Sequence, residues 1–131
     1  MAHSSQDVAD QLTAALETGD AHLMEPLLDP AARWGGEQET EETCHSRGDV
    51  LTWYRRLYDS GVRVEVTDIV VRERSVVLSM ALTGSKTGPR GQLPDLVHQV
   101  FHLEAGLVID IRGYPQREDA LAWADTPIVR N

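Results

Sequence analysis

The stretch Val100-Phe101-His102-Leu103-Glu104-Ala105-Gly106-Leu107-Val108-Ile109-Asp110-Ile111 decides the fold. Two apolar segments, 96–103 and 107–111, flank Glu104-Ala105-Gly106, which has the composition of a hairpin loop. Side chains of a strand alternate between the two faces of a sheet, so the loop length decides which residues share a face. A three-residue loop pairs Leu103 with Leu107 and Phe101 with Ile109. A two-residue loop turns the first strand over.

The chain before this hairpin is predicted to be strand back to residue 62. Val62, Val64 and Val66 alternate with polar residues, and residues 76–82 form an aliphatic run. Residues 84–94 contain Gly88-Pro89 and Gly91, which are typical of a turn-rich connection. These patterns predict an antiparallel sheet of four or more strands.

Three helices are predicted ahead of the sheet. Apolar residues recur with helical spacing between Ser4 or Ser5 and Gly19, again over 20–28, and again from Asp49 to Gly61. A short strand is expected at 31–34, and a last short helix over 116–124. This order of elements is an α+β pattern, and we interpret residues 1–131 as one domain. A curved sheet wrapped around a helix would leave a tapering cavity between the two layers.

The charge balance excludes several classes of partner. Twelve Lys and Arg stand against 21 Asp and Glu, a formal net charge of −9, which disfavours nucleic acid and anionic membranes. No apolar run approaches the roughly 20 residues of a membrane span, and the first residues lack the pattern of a secretion signal. A single cysteine, Cys44, excludes an internal disulfide. We therefore expect a cytoplasmic protein without a cofactor.

Two local motifs resemble a known family. The segment 100–114 is similar to the V-F-x-L-x-x-G-K-I hairpin and the R-D-Y-F-D strand of the nuclear transport factor 2-like superfamily, SnoaL-like group, and Ser46-Arg47-Gly48-Asp49-Val50 resembles its G-R-D-A-V helix start. The resemblance implies a cone, in which three N-terminal helices pack on a strongly curved antiparallel sheet. Such members include bacterial polyketide cyclases, a limonene-type epoxide hydrolase, steroid isomerases and binding proteins without catalysis. The fold therefore does not fix the function.

The catalytic residues of those relatives are missing from the matching positions. The acid on the last strand is replaced by Gly113, although Arg112 and Tyr114 are kept. Residues 79–82 hold neither the arginine nor the aspartate of the hydrolase-like members, and their tyrosine and asparagine fall near Ala32 and Trp34. Epoxide opening requires an activated water and a proton donor, and neither is found at these positions.

The resemblance also predicts which side chains face the pocket. In the family the position of the acid, and the residue two before it, face inward, which places Ile109, Ile111 and Gly113 on the concave face. With the three-residue loop, Phe101, Gln99, Val97 and Asp95 share that face. With the two-residue loop, His98 and His102 face inward instead. We favour the first register because it places the only phenylalanine beside Ile109 and Ile111.

The candidate ligand-binding residues are apolar or aromatic, with one amide. They are Trp34, Trp53, Tyr54, Leu57, Met80, Leu82, Gln99, Phe101, Ile109 and Ile111. Asp95 is the catalytic candidate, because a carboxylate desolvated at a pocket mouth acquires a raised pKa and can act as an acid or a base. A loop-capping role for Asp95 is the alternative.

No metal site is expected. His98 and His102 share a strand face, and Cys44 precedes His45, but no spacing typical of zinc ligands occurs. On the convex face of the favoured register, the two histidines serve polar packing or an interface.

Three hypotheses follow. The first is a protein that binds a small apolar molecule in the cone, and the second is a polyketide or terpenoid cyclase or isomerase that uses a pocket Asp or His as acid or base. The third is a non-catalytic interaction module with a filled interior. A homodimer through the convex face is also expected, with Val64, Val66, Val70 and Val108 as candidate exposed positions.

Overall fold

The computed structural model describes residues 4–85, 87–88 and 91–128. Helix α1 (Ser5–Thr18) begins where the Ser4 hydroxyl accepts from the backbone N–H of Asp7 and ends at Gly19, whose φ is +73°. A side chain at Gly19 would collide with the ring of Tyr58, so this glycine also allows two helices to approach closely.

The other helices lie close to their predicted ranges, although α3 begins at Arg47 rather than at Asp49. Helix α2 (Ala21–Met24) is capped by Asp20 and continues into a 3₁₀ turn, Glu25–Leu27, which accommodates Pro26. Helix α3 (Arg47–Asp59) begins at Ser46, whose hydroxyl accepts from Asp49 N–H. Helix α4 (Arg117–Ala124) closes the fold.

The described part of the chain also contains seven strands. They are β1 (Leu28–Trp34), β2 (Val62–Val71), β3 (Ser75–Gly84), β4 (Thr87–Gly88), β5 (Gly91–Gln92), β6 (Leu96–Glu104) and β7 (Leu107–Tyr114). Strands β4 and β5 pair only with each other, whereas the other five form one sheet in the order β1-β7-β6-β3-β2. The predicted α+β class is confirmed. The sheet is mixed rather than purely antiparallel, because β1 runs parallel to β7.

The β6–β7 hairpin differs from the predicted register. Its loop has two residues, Ala105 and Gly106, both with positive φ, so Glu104 pairs with Leu107 and Leu103 with Val108. A bulge then inserts Ile109, after which His102 pairs with Asp110.

Because of this bulge, the side chains of β6 point to the faces of the sheet that were predicted, although the loop is one residue shorter than expected. Phe101 pairs with Ile111 and Gln99 with Gly113. The predicted pairing of Phe101 with Ile109 is therefore wrong, while His98 and His102 remain on the convex face. The two-residue loop alone would have reversed this arrangement, and the extra residue cancels that reversal.

The main core lies between α1, α3 and the concave face of the sheet. Leu12, Leu78, Phe101 and Ile111 are each 0 % exposed there. The burial of such apolar side chains stabilises the fold through the hydrophobic effect. No helix in the described ranges combines the length and apolar character that crossing a bilayer requires.

The convex face is partly covered by α4. Ala120 and Ala124 pack on Val77, Val100 and Tyr114. Of the four valines expected there, only Val70 packs against this second cluster. The expectation is wrong for the others, because Val64, Val66 and Val108 pack in or against the concave core. The homodimer stays a prediction, and it would have to form around α4.

Candidate ligand-binding cavity

A cavity of about 290 Å³ lies between the concave face and α1, α2 and α3. This volume is close to the lower end of the roughly 300–1,000 Å³ typical of small-molecule sites. Most of its lining is apolar. The lining residues are Ala15, Leu16, Gly19, Asp20, Ala21, Met24, Trp34, Trp53, Tyr54, Arg55, Leu57, Tyr58, Val62, Val64, Met80, Leu82, Leu93, Pro94, Val97, Gln99 and Gly113.

Three aromatic side chains form one wall. Tyr54 stacks on Trp34 with ring centroids 4.3 Å apart and an interplanar angle of 15°, and Trp53 meets Trp34 edge-on at 6.1 Å. Helix α3 buries Val50 and Leu51 in the core, and its helical period directs Trp53, Tyr54 and Leu57 to the cavity. Such a wall suits a flat or ring-containing molecule.

One polar pair faces this apolar interior. The Tyr54 hydroxyl donates to Oε1 of Gln99 over 2.8 Å, and Gln99 is only 5 % exposed. Part of the Tyr54 ring stays accessible, but its hydroxyl is deeply buried, and this burial raises the pKa of the phenol far above its usual value. The hydrogen bond from Tyr54 to Gln99 opposes that rise. Tyr54 is therefore neutral at physiological pH and acts as a donor.

Seven of the ten sequence-predicted binding residues line the cavity. They are Trp34, Trp53, Tyr54, Leu57, Met80, Leu82 and Gln99. The other three do not. Phe101 and Ile111 lie on the concave side, but both are packed inside the core. The placement of Ile109 is wrong, because the bulge at this residue turns it toward a separate groove beside His102 and Ala124.

Asp95 does not line the cavity. It is exposed and precedes β6, and its backbone carbonyl accepts from Leu82 N–H over 2.8 Å. The side chain is not desolvated, which removes the physical reason for choosing it as an acid or base. Its neighbours Leu93 and Pro94 do reach the cavity.

Sequence reasoning missed the contribution of the first two helices. Ala15, Leu16, Ala21 and Met24 all line the cavity. The helical period places Ala15 and Leu16 on the apolar face of α1 and Met24 on that of α2. The same pattern describes a core residue and a cavity wall, so the sequence held no signal that separates the two.

Gly113 opens the cavity on the sheet side. Gly113 pairs with Gln99 across the sheet. A Cβ at this position would lie 3.2 Å from Cγ2 of Val97, the one contact within 4 Å among the described residues. The position that resembles the family's catalytic acid thus borders the cavity and carries no side chain. Gly113 itself therefore supplies no proton donor, proton acceptor or nucleophile to the cavity.

The two histidines of β6 are buried on the convex face. Nδ1 of His98 lies 2.6 Å from the Ser79 hydroxyl, and Nε2 of His102 lies 2.9 Å from the backbone carbonyl of Trp123 in α4. His45 instead pairs with exposed Glu39, and Cys44 is buried in the core. Within the ranges that the structure describes, no three His, Cys, Asp or Glu side chains are grouped as metal ligands would be.

The lowered pKa values of these two histidines predict that the stability of the fold depends on pH. Burial, aided by Arg117, lowers the pKa of His98 below 6.5 against the opposing charge of Asp68. Burial also lowers the pKa of His102, and the positive charge of Arg112 adds to this shift. The hydrogen bond to Trp123 and the charge of Asp110 oppose that second shift.

We expect the free energy of unfolding to fall as the pH drops below 6.5, until the folded-state pKa values are passed, because the unfolded chain binds protons there first. Urea unfolding across this pH range measures the slope. Replacing both His98 and His102 with asparagine should flatten it, whereas His22→Asn, at an exposed position, should not. An equal slope in the double variant would contradict this account.

Comparisons with known proteins agree with this architecture. The family model described as SnoaL-like domain matches residues 9–111. No curated protein has a sequence that matches this one at a significant level. The family-model match confirms the resemblance to SnoaL-like proteins.

Solved structures from several bacteria share the fold. A protein of unknown function from Cytophaga hutchinsonii, described as NTF2-like, has a TM-score of 0.67 at 12 % identity and covers 92 % of this chain and 97 % of its own. A Pseudomonas putida protein, provisionally described as a polyketide cyclase, has a TM-score of 0.67 at 12 % identity. The match covers 94 % of this chain and 97 % of that protein. A Kribbella flavida protein, provisionally described as a ketosteroid isomerase, has a TM-score of 0.67 at 18 % identity. The match covers 97 % of this chain and 90 % of that protein. At these identities the likeness shows the fold alone.

Proposed function

The chain belongs to the family of SnoaL-like domains, and from that premise we propose that it binds a small, mostly apolar molecule in the cavity without converting it. The observation that supports this proposal is the cavity of about 290 Å³ with its stacked aromatic wall. Apolar surface that a ligand buries there contributes about 25 cal/mol per Å². A ring of suitable size would therefore gain several kcal/mol from burial alone.

Binding is favoured over catalysis by the titratable groups. Asp20 is the one carboxylate among the described lining residues, and its side chain caps α2 by accepting from His22 N–H over 2.9 Å. Arg55 is exposed, and Tyr54 is held neutral by burial. General acid–base catalysis requires a group that titrates near the working pH and touches the substrate. The interior of the cavity instead contains the hydrogen-bonded pair of Tyr54 and Gln99, which can position a ligand.

The test uses a neutral aromatic probe, N-phenyl-1-naphthylamine, whose fluorescence rises in apolar surroundings. We expect saturable binding at one site per chain, with quenching of the tryptophans that line the cavity. The unfolded chain in urea serves as the control. Absence of saturable binding would refute the proposal.

A second measurement separates a binder from an enzyme. Native mass spectrometry of the protein taken directly from its host should find a co-purifying small molecule of the class that the cavity holds. Incubating the protein with the released compound should leave it chemically unchanged. Steady conversion of that compound to a product would instead support a cyclase or isomerase.

A further inference from the structure

We propose that the cavity selects ligands that carry a carbonyl-type acceptor oxygen, which accepts a hydrogen bond from the side-chain amide nitrogen of Gln99. This inference rests on the proposed function, because it assumes that a small molecule occupies the cavity. It adds the polar group that such a ligand must contain and the place where that group must lie.

The Gln99 amide lies with its oxygen toward the Tyr54 hydroxyl. The Tyr54 hydroxyl donates to Oε1 of Gln99 over 2.8 Å, which uses the acceptor end of the amide and leaves its NH₂ group as the free end. Burial keeps the phenol protonated, so it continues to donate at physiological pH. No described residue accepts a hydrogen bond from Nε2 of Gln99, and the residue lines the cavity. An amide nitrogen can only donate.

The position of Gln99 leaves space for a partner. It lies in the middle of β6 opposite Gly113, where the missing side chain opens the sheet side of the cavity. The charged lining residues Asp20 and Arg55 are exposed and therefore lie toward solvent. Among the lining side chains, Gln99 therefore presents a buried amide nitrogen that a bound molecule can satisfy.

A ligand without an acceptor would bury the Gln99 NH₂ group unpaired. Leaving a buried donor unsatisfied is costly, whereas an acceptor oxygen placed against it restores the bond that water supplied. Two ligands of equal shape should therefore differ in affinity by about tenfold or more in favour of the acceptor.

The test compares 2-acetylnaphthalene with 2-isopropenylnaphthalene, which differ only in the exchange of C=O for C=CH₂. Dissociation constants are measured by tryptophan quenching and calorimetry. We expect the wild-type protein to bind the ketone about tenfold more tightly. Both compounds should compete with N-phenyl-1-naphthylamine.

Two variants assign the preference to the proposed group. Gln99→Met keeps the length of the side chain and removes the donor, so it should bind both compounds with nearly equal affinity. Tyr54→Phe frees the amide to rotate, so the preference for the ketone should shrink. Gln38→Met, at an exposed glutamine, is the matched control and should keep the wild-type ratio.

Each outcome decides a separate statement. Equal affinities in the wild-type protein, or an unchanged ratio in Gln99→Met, would overturn the role of Gln99. Failure of the wild-type protein to bind either compound would instead overturn the proposed function. If Gln99→Met does not fold, the wild-type ratio and Tyr54→Phe still decide the question.

Discussion

Replacing Gly113 with leucine is expected to weaken the binding of N-phenyl-1-naphthylamine at least about tenfold. Among the described residues, only Val97 Cγ2 would lie within 4 Å of the new Cβ, at 3.2 Å, so this methyl group must shift by a few tenths of an ångström while the rest of the side chain extends into the cavity. The backbone φ of Gly113 lies outside the left-handed region, so leucine causes no backbone strain there. The side chain would occupy the volume that the ligand needs, and fluorescence titration measures the loss.

The chain offers a matched control for this substitution. Gly36 lies in an exposed loop where an added Cβ would meet no heavy atom within 4 Å, and it does not line the cavity. Gly36→Leu should bind the probe as the wild-type protein does. Both variants should unfold cooperatively, which separates a blocked cavity from a damaged fold. Wild-type affinity in Gly113→Leu would show that the probe binds elsewhere.

Replacing Asp110 with alanine is expected to lower the free energy of unfolding by about 2–3 kcal/mol. Asp110 is 5 % exposed, and its Oδ1 and Oδ2 lie 3.4 Å from Arg33 Nη1 and 3.3 Å from Arg112 Nε. Arg33 belongs to β1, and the guanidinium of Arg112 stacks on Trp123 of α4 at 3.8 Å. The carboxylate thus joins the parallel edge strand and the last helix to the sheet.

The expected cost arises from the two arginines that would lose their counter-charge. The side chains of both arginines are a little under one fifth exposed, so water can still solvate part of each guanidinium. The expected loss of unfolding free energy is therefore smaller than for a fully buried ion pair that loses one partner. Glu65→Ala, at an exposed position on β2, makes the same change in net charge and should have little effect. Equal stabilities of the two variants in urea unfolding would contradict the structural role of Asp110.

The helices were predictable because their signals are local. Ser4 and Gly19 lie at the two ends of α1, as their predicted capping roles require. The cap that Ser46 supplies to α3 was not predicted. The parallel pairing of β1 with β7 was not predictable from periodicity, because a strand's own pattern does not reveal the direction of its neighbour.

The candidate site was predictable in part. The contribution of α3 to the cavity was predictable because helical spacing places Trp53, Tyr54 and Leu57 on one face of the helix. The expected curvature of the sheet provided the space for a cavity beside that face. Asp95 was misplaced because β6 begins one residue later, so strand alternation does not extend to it. Ile109 was misplaced because a bulge adds one residue to β7, and no local sequence rule marked it.

The sequence by itself determined the order of the elements, the apolar faces of the helices and the absence of a side chain at Gly113, since each follows from residues near one another in the chain. Only the tertiary structure decided the register of the β6–β7 hairpin, the covering of the convex face by α4 and the pairing of Tyr54 with Gln99. That pair is 45 residues apart in the chain. Such contacts arise from the packing of α3 against the sheet, and periodicity carries no information about them.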